Sequence, residues 1–206
     1  LVGISKSAAT YAKYDRCMRR LEEFMQVKYR IKDIALKEIS HVFITDFENY
    51  LRTESGCNEN TTAKFMQTFR MIVIVAKNGW IFTDPFVNYK IRLKRVDRGY
   101  LTEHELQKIL KKKFTCTRLE QVRDVFIFAC FTGLAYIDVR NLTKENIRIS
   151  FDGKPWIMTS RQKTDTAVNV PLLKVPQSIL KKYEGKLPNG LLLLVLSNQK
   201  LNSYLK

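Results

Sequence analysis

Between Val125 and Val170 the hydrophobic pattern passes from helical to alternating, which restricts this stretch to helices packed against a small sheet. Val125-Phe126-Ile127-Phe128-Ala129-Cys130-Phe131 is apolar nearly all round, as expected of a helix through the centre of a domain. Thr132-Gly133-Leu134 breaks it with a tight glycine turn, and Ala135-Tyr136-Ile137-Asp138 starts a second helix. Strand patterns follow at about 146–150, 155–160 and 167–170, with Asp152-Gly153 suited to the first reversal. Val168 and Val170 alternate with Asn169, so one sheet face can be buried. The second reversal, Arg161 to Thr166, is polar and presents Lys163 at its tip.

Upstream, apolar residues recur every three or four positions. Tyr11, Tyr14, Cys17, Met18, Leu21, Phe24 and Met25 mark a first helix capped by Ser7 or Ser5. A second is expected from about Ile44, capped by Thr45 or Asp46, to a left-handed terminus at Ser55-Gly56. A third begins at 58–61, carries Phe65, Phe69, Ile72, Val73 and Ala76 on one side, and closes at Asn78-Gly79. Trp80, Ile81 and Phe82 then cover the end of the bundle, and Asp84-Pro85 starts a fourth, short helix. Thr102 and Glu105 have capping-box spacing, so a new helix opens there and a domain boundary falls near residue 99. Val175 to Tyr183 is a further helix, and 191–206 begins the next helical layer. The expected class is mainly α with a small antiparallel β-sheet.

A formal charge of +16 on 206 residues favours a polyanionic partner. A membrane surface is the rival, but no run of about 18 apolar residues occurs, and a soluble, cytoplasmic protein is expected. Over residues 1–90 the excess is mild, 14 Lys and Arg against 10 Asp and Glu, which an ordinary bundle with a solvated face would also show. Residues 88–99, NYKIRLKRVDRG, hold five Lys or Arg in twelve positions without a clean period. They form either a basic linker able to follow a phosphate backbone or a plain solvated tether.

Cys17, Cys57, Cys116 and Cys130 are widely spaced, without the pairing or flanking histidines of a zinc site. They are expected to be reduced, buried small side chains. His41 and His104 lie beside no nucleophile or carboxylate cluster and suit surface or capping roles.

The order FACFTGLAYID, three strands and a hairpin SRQKT resembles the first half of the catalytic domain of the tyrosine recombinases, the lambda-integrase type, and especially integrases of mobile elements and conjugative transposons. The resemblance implies a helical core-binding (SAM-like) domain at 1–88, a basic linker at 89–99, and the amino-terminal part of the catalytic domain at 100–206. It implies a two-domain clamp on double-stranded DNA, a tetramer on two duplexes in the complete enzyme, and chemistry through a 3'-phosphotyrosyl bond with no metal or other cofactor.

By position, Lys163 takes the role of the hairpin lysine that protonates the departing 5'-oxygen, and Asp138 that of the acidic residue supporting the active site. Ala135 stands where the family has an arginine; Arg161 is the substitute considered, while Arg140 falls roughly 140° further round a helix. Lys64, Gln67, Arg70 and Lys77 on the third helix, with Arg92, Lys94 and Arg95 in the linker, are the expected DNA contacts. The His-x-x-Arg motif and the tyrosine nucleophile of the family come after this stretch, and Tyr204 lies too early for that role, so the chain reads as a fragment that binds DNA without cutting it. Two other readings remain: a regulator derived from a recombinase, or a helical nucleic-acid-binding module of separate ancestry.

Overall fold

The computed structural model describes residues 7–80 and 84–206, apart from the side chains of 77–80 and 189. The chain divides into two compact units, Leu1–Arg98 and Gly99–Lys206.

The first unit is built around three helices, α1 (Ala8–Phe24), α2 (His41–Thr53) and α3 (Glu59–Trp80). Ser7 caps α1 by accepting the Thr10 N–H. A π-helical turn, Met25–Tyr29, then ends at Arg30 with φ 59°, and the Tyr29 hydroxyl donates to Asp46 on α2 at 2.8 Å. The core is largely aromatic. Phe24 meets Phe43, Phe47 and Tyr50 at ring separations of 5.1–5.4 Å, and Phe69 meets Phe47 and Phe86 at 5.5 and 5.4 Å. Each such pair adds roughly 0.5–1.5 kcal/mol beyond the area it buries.

Three sequence expectations are corrected in this unit. α2 starts before Ile44, because Ser40 accepts the Phe43 N–H, while Thr45 turns back to the His41 carbonyl inside the helix. α3 runs through Asn78-Gly79 to Trp80. Asp84-Pro85 opens a turn rather than a helix: the Asp84 side chain accepts the Phe86 N–H, and the Val87 N–H returns to the Asp84 carbonyl. Gly56, with φ 59°, does supply the left-handed position after α2, and the Asn58 side chain caps α3 through the Thr61 N–H. The expected cover from Trp80, Ile81 and Phe82 lies outside the described residues.

The second unit has α5 (Thr117–Thr132) at its centre, with α4 (Glu103–Lys111), α6 (Tyr136–Arg140), α7 (Lys174–Tyr183) and α8 (Asn198–Tyr204) around it. The Thr102–Glu105 capping box forms in full. Gly133, φ 65°, ends α5 in the left-handed conformation that a side chain resists. Strands β1 (Ile147–Ile149), β2 (Pro155–Ser160) and β3 (Ala167–Pro171) form an antiparallel sheet in that order, with Ile157 paired to Ile147 on one side and Val170 on the other. Ile157 is fully buried, so the sheet is packed through its middle strand.

α5 is less enclosed than its sequence suggests. Ile127 and Phe128 are buried completely, but Cys130 is exposed and Phe126, Ala129 and Phe131 are only partly covered. The expectation of four buried thiols is corrected likewise: all are free, yet Cys116 and Cys130 are exposed, Cys57 is half-buried, and only Cys17 is in a core, where burial pushes its pKa up to about 12.

Candidate nucleic-acid interface and hairpin site

Lys163 stands at the apex of the β2–β3 hairpin. The Arg161 N–H donates to the Thr166 carbonyl at 2.8 Å, the Asp165 N–H returns to the Arg161 carbonyl at 2.7 Å, and Asp165 takes φ 53° to make the turn. Arg161, Gln162 and Lys163 are all exposed. Asp138 is 6% exposed and its Oδ1 accepts the Gln162 N–H at 3.1 Å, while the Asn141 amide reaches the Gln162 side chain at 3.4 Å. The carboxylate on α6 therefore grips the hairpin backbone next to the lysine. Ala135 is exposed at the N-cap of α6 and Arg140 is exposed at its last turn. Tyr204 accepts a hydrogen bond from Arg118 at 3.1 Å.

On the first unit several helical cations are paired and several others gather. Arg19 pairs with Asp15, Arg20 with Glu23, and Arg52 with Glu48, each at helical spacing. Lys13, Arg16, Lys64, Arg70 and Lys90 have no carboxylate partner among the described residues. These five converge. Lys13, Arg16, Lys64 and Gln67 line a depression of about 380 Å³, and Lys13, Gln67, Arg70 and Lys90 line a second of about 800 Å³. Neither depression has an acidic residue in its wall. Lys13 and Gln67 belong to both, so they adjoin as one basic trough between α1, α3 and the segment after Phe86. Cations left unpaired beside each other persist only where water or a polyanion screens them, and phosphate does so best.

The structure thus brings Lys64, Gln67 and Arg70 together, with Arg70 also over the Phe86 ring at 6.0 Å. The side chain of Lys77 lies outside the described residues. Lys13 and Arg16 were missed by sequence reasoning, and Lys90 was read only as part of the basic segment 88–99. Their signal was available in the two helical cations: neither has an acidic residue three or four positions away, whereas Arg19, Arg20 and Arg52 do.

The basic segment is less free than a tether. Tyr89 and Ile91 pack on the first core, and the Asn60 side chain both accepts the Lys94 N–H at 2.8 Å and donates to its carbonyl at 2.9 Å. The Lys94 ammonium also meets Glu59 at 3.6 Å. Arg92 and Arg95, on either side, are exposed.

The second unit contains a polar hub that sequence reasoning did not find. Asp124 on α5, only 2% exposed, accepts from Lys182 at 2.8 Å, the Tyr183 hydroxyl at 2.7 Å, and Arg123 at 2.7 Å. Burial pushes its carboxyl up, but these three donors outweigh that and hold its pKa below the usual range. Arg123 continues to the Lys112 carbonyl at 2.5 Å, so the hub ties α5 to α7 and to the end of α4.

Residues 3–91 match the family model of the phage integrase SAM-like domain. Among solved structures, a lambda integrase dimer bound to a COC' core site aligns with 98% of this chain and 71% of its own, at TM-score 0.76 and 17% identity. The chain has the tyrosine-recombinase fold. The Tn1549 transposon integrase in complex with a circular intermediate DNA matches it at TM-score 0.69 and 14% identity, over 87% of this chain and 60% of that one. The XerH site-specific recombinase bound to difH substrate matches at TM-score 0.57 and 19% identity, over 92% and 56%. The chain therefore spans between about half and three quarters of the length of these recombinases. No curated protein sequence matches it. Among the described residues no helix is long and apolar enough to cross a membrane.

Proposed function

We propose that this chain is the DNA-binding and hairpin-bearing part of a site-specific recombinase, the integrase of a mobile genetic element acting in the cytoplasm. Its support is the fold, which follows a DNA-bound integrase over 98% of the chain. In this reading the domains are 1–88, 89–99 and 100–206 in their family roles, both main domains grip double-stranded DNA, and four complete protomers act on two duplexes.

The chemistry follows from the hairpin. In the complete enzyme a tyrosine hydroxyl attacks a backbone phosphorus and forms a 3'-phosphotyrosyl bond as the bond to the 5'-oxygen breaks. Lys163, reaching the DNA from the hairpin tip, gives its proton to that oxygen and offsets the charge that develops there. Asp138 acts through Gln162 as a positioning residue. Arg161, two residues from Lys163, is the cation proposed to face the phosphate in place of the arginine replaced by Ala135. The phosphodiester energy is kept in the covalent bond, so the cycle needs neither metal nor nucleotide.

The test uses the complete protein with a duplex nicked beside the crossover site, which traps the covalent intermediate. A protein–DNA adduct with wild type, reduced roughly 10²–10⁴-fold by Lys163→Ala, is expected. Failure to form an adduct on a duplex that the protein binds would favour a second reading, a DNA-binding regulator without chemistry. The specific observation behind that alternative is Ala135, whose methyl group cannot donate to a phosphate.

A further inference from the structure

The two depressions of the basic trough share one uncharged residue, Gln67, beside Lys13. Gln67 is exposed, and its amide makes no hydrogen bond among the described residues. Lys64 and Arg70 stand three residues to either side of it on α3, Lys13 faces it from α1, and Met71, four residues on, shares its depression and is 46% exposed. At these spacings Lys64, Gln67 and Met71 lie on one helix face. An amide can donate to phosphate, but phosphate offers only acceptors and leaves the amide's carbonyl oxygen unmatched. A thioether is still less suited.

Resting on the duplex-binding reading above, we propose that Gln67 and Met71 read one A·T base pair in the major groove, while the surrounding cations hold the backbone. The amide presents one acceptor and two donors side by side, the complement of adenine N6–H₂ and N7. Guanine presents two acceptors at those positions and is the partner of Arg or Lys instead. Thymine, across the pair, projects its C5-methyl into the same groove, where Met71 offers a flexible, polarizable contact. α3 supplies the rod: 22 residues at about 1.5 Å per residue, enough to lie along the groove with this face inward.

The experiment is selection of duplexes from a randomised pool by the 206-residue chain at moderate salt. Wild type should enrich an A·T pair at one or more positions. Gln67→Ala should lose one of these preferences by roughly tenfold, about 1.4 kcal/mol, while the others persist. Met71→Ala should no longer distinguish thymidine from deoxyuridine at that same position. Both side chains are on the solvent face of a helix, and circular dichroism of each variant checks that the bundle stays folded. Unchanged preferences in Gln67→Ala overturn the inference, as does wild-type binding with no A·T preference anywhere; in both cases duplex binding itself stands. Absence of binding to any duplex at low salt removes the parent reading as well.

Discussion

Asp138 and Gln162 are joined across 24 residues of sequence by one hydrogen bond, from the Gln162 N–H to the carboxylate at 3.1 Å, and Lys163 is the next residue. The hairpin tip is otherwise exposed, so this bond is its main tie to the helical layer. Removing a buried acceptor leaves the donor to find water and costs about 1–3 kcal/mol. Asp138→Ala should lower the stability of the second unit by that amount and speed hydrogen exchange at the Gln162 amide, whereas Asp138→Asn, which keeps an acceptor oxygen, should change both much less. Equal Gln162 exchange in wild type and Asp138→Ala would remove Asp138 from the positioning role.

The acid role proposed for Lys163 predicts that binding and chemistry separate there. Lys163→Ala is expected to leave duplex affinity within a few fold while cleavage by the complete enzyme falls, and Lys163→Arg should restore charge but little activity, because a guanidinium holds its proton too firmly to release it. Single-turnover cleavage at saturating protein reads this directly. Wild-type cleavage by Lys163→Ala would place the acid elsewhere.

The Asp124 hub gives the second unit an acid limb. Its folded pKa lies below the ordinary 3.8, so its contribution is complete above about pH 4 and is lost as pH falls through the lower folded value. Asp124→Ala should cost about 3 kcal/mol at neutral pH, since it leaves Arg123 and Lys182 without their buried partner. Asp124→Asn should flatten the stability profile below pH 4. Urea melts from pH 2 to 7 that superimpose for wild type and Asp124→Asn would contradict this.

The trough makes a quantitative claim about salt. Each phosphate contact contributes about 0.9 to the slope of log affinity against log salt. The double variant Lys64→Ala, Arg70→Ala should reduce that slope by about 2, while Arg19→Ala, whose partner Asp15 already neutralises it, should leave it nearly unchanged. Equal slopes for all three proteins would argue against the trough as the phosphate-binding surface.

What was legible in the sequence was local. Thr102 and Glu105 satisfy each other within one turn, Gly133 ends a helix by its own backbone freedom, and the alternation through Pro155–Ser160 and Ala167–Pro171 needs only the strand's period of two. Ser40 was passed over for Thr45 and Asp46 because all three have side-chain oxygens able to cap, and only the fold shows which residue stands outside the first turn. The Asn60–Lys94 clamp and the Asp124 hub join residues 34 to 59 positions apart, beyond any periodic signal. Exposure of Cys130 was hidden by its neighbours: the apolar run around it suggests burial on every side, and the fold covers one side more than the other.

The central claim is that unpaired cations on this chain hold duplex DNA by displacing its counterions. Binding of the wild-type chain to a labelled duplex, measured from 50 to 300 mM salt, tests it most directly. Binding at low salt that weakens log-linearly, with a slope reflecting at least four phosphate contacts, is the predicted result. A chain that binds no duplex at 50 mM salt, or binds with an affinity independent of salt, would contradict it.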